Sequence, residues 1–426
     1  MSLSNFKDLI NKYFQALATR YYEQINGSSE APKYLHETML TEEYSADMTY
    51  TSISGDFTRV TADVVSYDSP LPLKKRASLS KAKGDIPKMG MKYVLNEKQM
   101  NMLGILRQQP GRLAELAKKV FQDVFNGIFG IKELIEYAFH VGLSSGVTII
   151  PDATNAGKHG IRIDFGVPAE NFSGVVKKWS DSSAKPVDDI KRIRKQARGK
   201  GIKHAHIWMD DATATRLLTN DQIRSSYAFS RGFTGSDIPN PTESQLMTLF
   251  KNEWKLNLHI MERSFTFELN GTRTVKDGWT PNMVVFTVDT NVGSLVYSTL
   301  AEENFPVKDV DYAKPNAYIL VSKSGSTDPV SEKTATQAIV IPVLQNVEEL
   351  FYLDTEEAET DAQTEGDGTF TYKTVDYTLA SVVLGINTAN ENANVTVSNT
   401  DAELLDVINA LNDAEVELFE AELITV

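Results

Sequence analysis

A single long amphipathic helix is the feature of this sequence that most constrains its fold. Between residues 112 and 143, apolar residues recur at three- and four-residue spacing and form one stripe. The stripe comprises Leu113, Leu116, Val120, Val124, Ile128, Ile131, Ile135, Phe139 and Gly142, and Phe121, Phe125 and Phe129 widen it. Such a helix is on the order of 45 Å long unless Gly127 and Gly130 bend it. Because coiled-coil heptads are lacking, the pattern predicts a structural spine.

The segment before this helix, residues 66–100, is basic and rich in helix breakers. Its bases are Lys74, Lys75, Arg76, Lys81, Lys83, Lys88, Lys92 and Lys98. Three prolines and two glycines argue against a helix, and a connection of this length inside a compact domain is usually functional or disordered. The segment is interpreted either as a solvated basic loop or as a two-stranded arm. Such an arm would reach onto a neighbouring subunit, its positive charge matched to an otherwise acidic body.

Shorter periodic stretches predict the remaining elements. An amphipathic helix over residues 4–25 is expected to pack on its own or a neighbouring subunit. Further predictions are a strand at 60–65, a hairpin of 147–150 with 160–165, a helix from 186 to 198, a hairpin turning at Asn270-Gly271, and strands at 282–289, 316–324 and 337–345. Residues 354–367 hold seven acids and no base, which is typical of a linker. Beyond the linker, short strands and helices near 402–411 and 414–423 predict a small appended module.

Two histidines in the stretch "KHAHIWMDD" raise the question of a metal or catalytic site. In a strand over residues 202–209, His204 and His206 would share one face, with Asp210 or Asp211 capping the next helix. A catalytic zinc normally takes three protein ligands, and local spacing supplies no third one. The remaining histidines, at 36, 140, 159 and 259, sit in unrelated contexts. We therefore favour a structural strand and cap over a metal site.

Composition and missing motifs exclude several classes of protein. The chain has no cysteine, which rules out disulfides, thiolate nucleophiles and Cys-based zinc sites. Its net charge of −14 argues against general nucleic-acid binding. No apolar run approaches a membrane span, the N-terminus lacks the order of a signal peptide, and a soluble intracellular origin is expected. Phosphate loops, dinucleotide fingerprints, nucleophile elbows and zinc-helix motifs are lacking from the sequence.

The order of several stretches resembles the major capsid protein E family of tailed bacteriophages. These are "ADVVSYDSPLPLKKRASLSKAKGDIPKMG", "ELIEYAFHVGLSSGVTII", "IDFGVPAEN" followed by "WSDSSAKPVDDIKRI", and "STDPVSEKTATQAIVIPVLQN". The resemblance spans roughly residues 50–350. It implies an α+β fold of the Hong Kong 97 type, as in lambda, with an N-terminal arm, an extended β-hairpin loop, a peripheral domain containing the spine helix, and an axial domain.

This resemblance implies a division of the chain. The expected parts are the N-terminal helix and arm (1–65), the extended loop (66–100), the peripheral domain (101–180), the axial domain (181–300), the return through the peripheral domain (301–353), the acidic linker (354–369) and the C-terminal module (370–426). The loop residues expected to contact a neighbouring subunit are Lys74, Lys75, Arg76, Lys81, Lys83 and Lys88. A lysine–asparagine crosslink, known in some relatives of the fold, is not predicted.

The implied function is that of a major capsid protein without catalysis or cofactor. Copies would assemble as pentamers and hexamers into the icosahedral shell of a tailed double-stranded DNA phage. Expected partners are a scaffolding protein, a portal, packaged DNA bound without sequence specificity, and a decoration protein; no membrane is involved. The protein would lie in the virion capsid, and in the host cytoplasm during assembly. Alternatives are an encapsulin-like compartment and a metal-dependent enzyme that uses His204, His206 and Asp210.

Overall fold

The computed structural model describes most of the chain. The described residues are 14–23, 34–55, 79–108, 113–150, 161–233, 238–269, 271–358, 369–372, 375–390 and 401–421. They form two compact units, which span residues 1–357 and 358–426. The strand predicted at 60–65 and the bases Lys74, Lys75 and Arg76 lie outside the described residues.

The strands fall into several sheets. They are β1 (Leu40–Tyr44), β2 (Thr49–Gly55), β3 (Leu79–Asp85), β4 (Lys88–Leu95), β5 (Val147–Ile150), β6 (Ile161–Asp164), β7 (Phe172–Val175), β8 (His206–Asp210), β9 (Asn257–Met261), β10 (Ser264–Leu269), β11 (Thr272–Asp277), β12 (Met283–Thr287), β13 (Gly293–Ser298), β14 (Asp311–Ala313), β15 (Ile319–Thr327), β16 (Val330–Leu344), β17 (Phe351–Ala358), β18 (Thr369–Tyr372) and β19 (Val375–Thr378).

The helices vary widely in length. They are α1 (14–23), α2 (His36–Met39), α3 (Glu97–Gln108), α4 (Leu113–Ser145), α5 (Pro186–Gly199), α6 (Asp211–Thr219), α7 (Asp221–Ser230), α8 (Glu243–Leu249), α9 (Ala301–Asn304), α10 (Leu379–Ala389), α11 (Asp401–Asn409) and α12 (Asp413–Ala421). A π-helical turn continues α8 over Phe250–Trp254. The α4 helix confirms the predicted spine, with ends within two residues of the prediction.

The spine helix α4 lies on a six-stranded sheet and forms the first core with it. Strands β1, β13, β16, β15 and β14 follow one another in the sheet, and β4 pairs with the part of β16 that β13 leaves free. The predicted stripe is buried where its side chains are described, from Val120 to Phe139. Each fully buried Val or Ile contributes roughly 1.5–3 kcal/mol, so this contact is a principal source of stability.

Two glycines of α4 allow the helix to approach this sheet closely. A Cβ atom on Gly127 would lie 2.1 Å from Oγ1 of Thr336 in β16. One on Gly130 would lie 2.4 Å from Sδ of Met91 in β4. The helix runs unbroken through both positions, and these glycines permit its close packing on the sheet.

The N-terminal helix packs on the spine of its own subunit. The ring of Phe14 stacks on that of Phe121, with 6.0 Å between centroids, and Tyr21 meets Phe125 edge-on at 5.6 Å. The Nζ atom of Lys132 lies 3.8 Å above the ring centre of Tyr22. Of the two packing partners predicted for this helix, the structure shows the chain's own core.

A second sheet in the first unit carries its own helices and core. Its order is β7-β17-β12-β8-β9, and α5, α6, α7 and α8 contribute buried side chains beside it. Helix α5 begins at Pro186 as predicted, since proline suits the first position of a helix. Strand β17, the last strand of the first unit in sequence, lies between β7 and β12.

Two predictions about segment boundaries are wrong. The basic segment 66–100 is not a single extended loop. Its strand β4 pairs with β16 over Glu332–Ile339 in the subunit's own sheet, and helix α3 begins at Glu97. The acidic linker does not begin at residue 354, because β17 continues through Ala358. In both places backbone pairing with distant strands decides the structure, and local composition does not reveal it.

Two predicted hairpins are confirmed, and a two-stranded ribbon includes a strand that precedes the basic segment. Strands β5 and β6 pair as expected, and β10 and β11 pair on either side of Gly271, whose φ of +78° suits glycine. Strand β2 pairs with β3 in a separate two-stranded ribbon, Thr49 opposite Asp85 and Gly55 opposite Leu79. The ribbon therefore begins before the basic segment and brackets residues 56–78.

The second unit is a small mixed module. Strands β18 and β19 pair, and α10, α11 and α12 supply the buried residues Val382, Ile386, Leu404, Ile408 and Phe419. The predicted short strands and last two helices are present, whereas α10 was not predicted. The second unit therefore has a buried core of its own.

Candidate assembly surface

The β2–β3 ribbon is anchored to the first unit at its base. The Oγ atom of Ser52 donates a hydrogen bond of 2.7 Å to the carbonyl of Leu344 in β16. The ring of Tyr50 covers Gly84 across the ribbon, so closely that a Cβ there would lie 2.7 Å from the Tyr50 hydroxyl. Just beyond the ribbon, Ile86 is buried and its N–H donates to the carbonyl of Met48 at 2.9 Å. These contacts fix the base of the ribbon to the first unit. We use "arm" for β2, β3 and the residues 56–78 between them.

The predicted contact residues divide into three groups. Lys81 and Lys83 belong to β3. Lys83 is exposed, with Nζ 3.8 Å from Oδ2 of Asp47. Lys88 is exposed on β4, where it faces Ile339 of β16 in the subunit's own sheet. Lys74, Lys75 and Arg76 lie outside the described residues, so their contact with a neighbour stays a prediction.

The turn that leads into the ribbon is held by Asp47. Hydrogen bonds from the hydroxyls of Thr49 and Ser45, each 2.8 Å long, lower the pKa of Asp47 to about 2. Its carboxylate is therefore ionised over the whole physiological range and remains available to Lys83. The base of the arm carries charges of both signs, and the excess of bases lies further along its sequence.

The two histidines of the candidate metal site do not come together. His204 precedes strand β8, which starts only at His206, so the predicted strand over 202–209 is wrong at its beginning. His204 is buried against Phe351 and Phe286, and its Nε2 donates to the carbonyl of Glu349 at 3.1 Å. Burial lowers the pKa of His204 to about 4, which keeps it neutral and structural.

His206 instead meets a histidine that the sequence analysis set aside. Its Nδ1 lies 3.0 Å from Nε2 of His259 on the adjacent strand β9, and His259 stacks on Trp208 with 3.8 Å between ring centroids. Burial, and then the neighbouring His206, lower the pKa of His259 to about 4. The parallel pairing of β8 and β9 creates this contact, and spacing along the chain carries no signal for it.

The supposed helix cap does not form a capping hydrogen bond. Asp210 occupies the N-cap position of α6, but its side chain bonds none of the free N–H groups, and its buried Oδ1 has no hydrogen-bond partner. The part of the chain that the structure describes contains no group of three or more side chains placed to hold a metal ion. The enzyme alternative built on His204, His206 and Asp210 therefore has no geometry to support it.

A cleft of about 350 Å³ lies between β4, α4 and β10. Its lining is largely apolar and includes Met91, Tyr93, Phe129, Leu134, Phe265 and Phe267. Its two carboxylates are already engaged, Glu133 with Arg263 and Glu268 with Arg273. The cleft is therefore suited to apolar contacts and not to acid–base chemistry.

These elements define the class of protein. A spine helix packed on a sheet, a second sheet with its own helices, and an anchored two-stranded arm make up the Hong Kong 97-type capsid fold that the sequence predicted. Residues 19–354 match the sequence profile of phage major capsid protein E, and the chain belongs to that family. Its copies form the capsid shell of a bacteriophage, and the match favours this function over an encapsulin-like compartment.

Solved structures of low sequence identity resemble the chain. The capsid protein of a prophage of E. coli CFT073 is 15% identical over 79% of this chain and 98% of its own, with a TM-score of 0.49. The cyanophage A-1(L) capsid is 10% identical over 78% and 95%, with a TM-score of 0.42. An encapsulin complex from Synechococcus elongatus PCC 7942 is 8% identical over 80% and 96%, with a TM-score of 0.36.

A search of curated sequences and an inspection of the helices both gave negative results. No curated protein sequence matches the chain. Among the described residues, no helix combines the length and apolar character needed to cross a membrane.

Proposed function

We propose that the arm of each subunit contacts a neighbouring copy, and that this contact joins subunits as pentamers and hexamers of an icosahedral head around the DNA of a tailed phage. The observation that carries the proposal is the β2–β3 ribbon, which is anchored at its base and pairs with no third strand in the described part of the chain. A two-stranded ribbon is marginally stable in water, so a surface on another copy would supply the burial it lacks.

The charge of the arm favours the same role. The arm, residues 49–85, contains six bases and four acids and so has a net charge of +2. The first unit as a whole is almost neutral, with 43 acids and 42 bases. Its net charge therefore neither attracts nor repels a positive arm strongly. The expectation of an acidic body is therefore wrong for the first unit. The positive charge of the arm would have to be matched by a local group of acids on the neighbouring subunit. Electrostatic contacts of this kind set register and partner choice more than total affinity.

The assembly partners follow from the shell function. A scaffolding protein and a portal would direct closure in the host cytoplasm, and a decoration protein would bind the finished shell. The double-stranded DNA would be enclosed without sequence-specific contacts, since an almost neutral body offers no excess of bases for phosphate binding. No catalytic step is assigned to any residue of this chain.

Electron microscopy of an arm variant tests the proposal. Residues 56–78 would be replaced by Asn-Gly, a sequence that favours a tight turn between β2 and β3. This change keeps Tyr50, Gly84 and the Ser52 hydrogen bond at the base. Full-length protein, expressed with its scaffolding protein, should form closed shells, and the variant should give folded subunits without shells. Normal shells from the variant would overturn the role of the arm, whereas absence of shells from the full-length protein would contradict the shell function itself.

A further inference from the structure

The net charge of this chain is concentrated in its second unit. Residues 358–426 contain 14 of the 57 acids and one base, Lys373, and so carry a net charge of −13. The first unit, residues 1–357, has a net charge of −1. Nearly the whole charge of −14 therefore belongs to 69 residues.

This acidic unit is separate from the shell-forming part in two further respects. It has its own buried cluster, which includes Val382, Ile386 and Phe419. The match to the capsid family ends at residue 354, before the unit begins. A module with its own core that lies outside the family's conserved extent is expected to fold without the rest of the chain.

We propose that residues 358–426 form an accessory module that is not needed to build the shell, is displayed on the shell's outer face, and sets the surface charge of the particle. The proposal presupposes the shell function and adds to it a function in the interaction of whole particles with their surroundings. It concerns a charged surface and requires no bound ligand.

Electrostatic repulsion from the packaged DNA favours the outer face. Double-stranded DNA carries about one negative charge per 1.7 Å of its axis. A module of charge −13 at every subunit would, on the inner face, add like charge and counterions to the space that the DNA must fill. On the outer face the same charge meets no such opposition, and it keeps particles apart in solution.

The module also exposes apolar side chains, and its negative charge would oppose association of particles through them. Leu384 of α10, Leu405 of α11 and Leu418 of α12 are between 43% and 53% exposed. In a shell these leucines recur at every subunit, and repeated apolar groups promote association between particles. Repulsion among the acidic residues of the unit opposes that association, and salt weakens the repulsion.

Three proteins test this inference by electrophoresis of intact shells. They are the full chain, a truncation after Glu357, and a charge variant in which Glu359→Gln, Asp361→Asn, Glu365→Gln and Asp367→Asn remove four of the unit's negative charges. If the module is outside, the truncated shells should lose most of their mobility toward the anode, and the charge variant should show a smaller loss. If the module is inside, mobility should not change, because a wall thicker than the Debye length of about 8 Å hides the charge.

Proteolysis of assembled shells provides an independent reading. A protease that cuts after glutamate should release the module from intact full-length shells and leave the shells closed. Cleavage only after the shells are dissociated would overturn the outer placement. Failure of the truncated chain to form shells, when the full chain forms them, would overturn the claim that the module is dispensable. The charge variant then still decides the placement.

Discussion

The Oε2 atom of Glu136 lies 2.5 Å from Nδ1 of His36, and both side chains are buried in the first core. Residues 35 and 36 also donate their backbone N–H groups to this carboxylate, at 2.8 and 3.0 Å. On the other side, Nε2 of His140 lies 3.1 Å from Oε1. Burial by itself would raise the pKa of Glu136, but the hydrogen bonds from His140 and His36 hold it well below its usual range. The ionised carboxylate thus fastens the segment before β1 to the spine helix.

Replacing Glu136 by Gln should therefore destabilise the subunit. Breaking a buried charged contact costs about 3–5 kcal/mol because it leaves the partners unsatisfied. Urea unfolding of the unassembled subunit measures this loss, with exposed Glu253→Gln as the matched control. Equal unfolding free energies for the two variants would show that the Glu136 contacts add nothing to stability.

The same carboxylate should make the subunit sensitive to acid. A depressed folded pKa gives stability that is fully present above the unfolded pKa, near 4.5, and is lost as the pH falls through the folded value. The free energy of unfolding of the native subunit should thus decrease below pH 4.5 more steeply than that of Glu136→Gln. Parallel curves for the two proteins would contradict the assignment.

His204 should make stability depend on pH in a higher range. Its pKa is about 4 in the folded state against 6.5 when unfolded, so the fold favours the neutral ring. Its contribution is fully present above pH 6.5 and diminishes as the pH falls toward 4. Between pH 7.5 and pH 5 it should lose about 2 kcal/mol. In His204→Phe this part of the pH dependence should be missing from urea unfolding curves; an unchanged dependence would mean that other groups cause it.

A charge on the buried stripe of the spine helix should prevent folding. Val124 is fully buried, and Val124→Asp places a carboxylate there without a partner, at a cost of several kcal/mol. The control is Gln122→Asp, since Gln122 is exposed on the same helix. Circular dichroism and solubility should separate the two variants. A soluble Val124→Asp protein with an unchanged melting temperature would place this face of the helix on the surface.

Truncation after Asp354 should lower the melting temperature of the first unit more than truncation after Glu357. The backbone N–H of Trp179 donates to the carbonyl of Thr355 at 2.9 Å, and Arg216 pairs with Glu356 at 3.0 Å. A chain ending after Asp354 lacks these contacts, whereas one ending after Glu357 keeps them. The shorter chain should melt at a lower temperature in calorimetry. Identical melting temperatures would show that the end of β17 does not contribute to the second sheet.

Local patterns predicted much of this fold and little of its long-range pairing. The stripe from Val120 to Phe139 and the turn at Gly271 are encoded in neighbouring residues, so the spine and the hairpin could be predicted. His36 and Glu136 are 100 residues apart, and periodicity carries no information about such a contact. For the same reason the pairing of β2 with β3 across residues 56–78, and of β4 with β16, could not be foreseen.

The candidate sites show the same limit. His204 and His206 alternate in the sequence, which predicted a shared face, but the strand begins between them. The partner of His206 is His259, brought near by parallel strands 53 residues apart in sequence. The bases of the arm were recognised by composition alone, and composition does not determine which surface they contact.

Reversal of charge in the arm tests the account most directly. Lys74→Glu, Lys75→Glu and Arg76→Glu together change the charge of the arm by six units. Surface charges of this kind contribute about 1 kcal/mol or less per pair to the stability of a subunit, whereas like charges opposed across an interface cost several kcal/mol. The matched control reverses Lys178, Lys195 and Lys203, which are exposed outside the arm.

Negative-stain electron microscopy, with sedimentation of the same samples, measures the outcome. The arm variant should have normal circular dichroism but form no closed shells at low salt, while the control should assemble. Raising the salt to about 1 M, where the Debye length is about 3 Å, should partly restore assembly. Closed shells of the arm variant at low salt, in the same yield as the control, would contradict a charge-dependent contact between the arm and a neighbouring subunit.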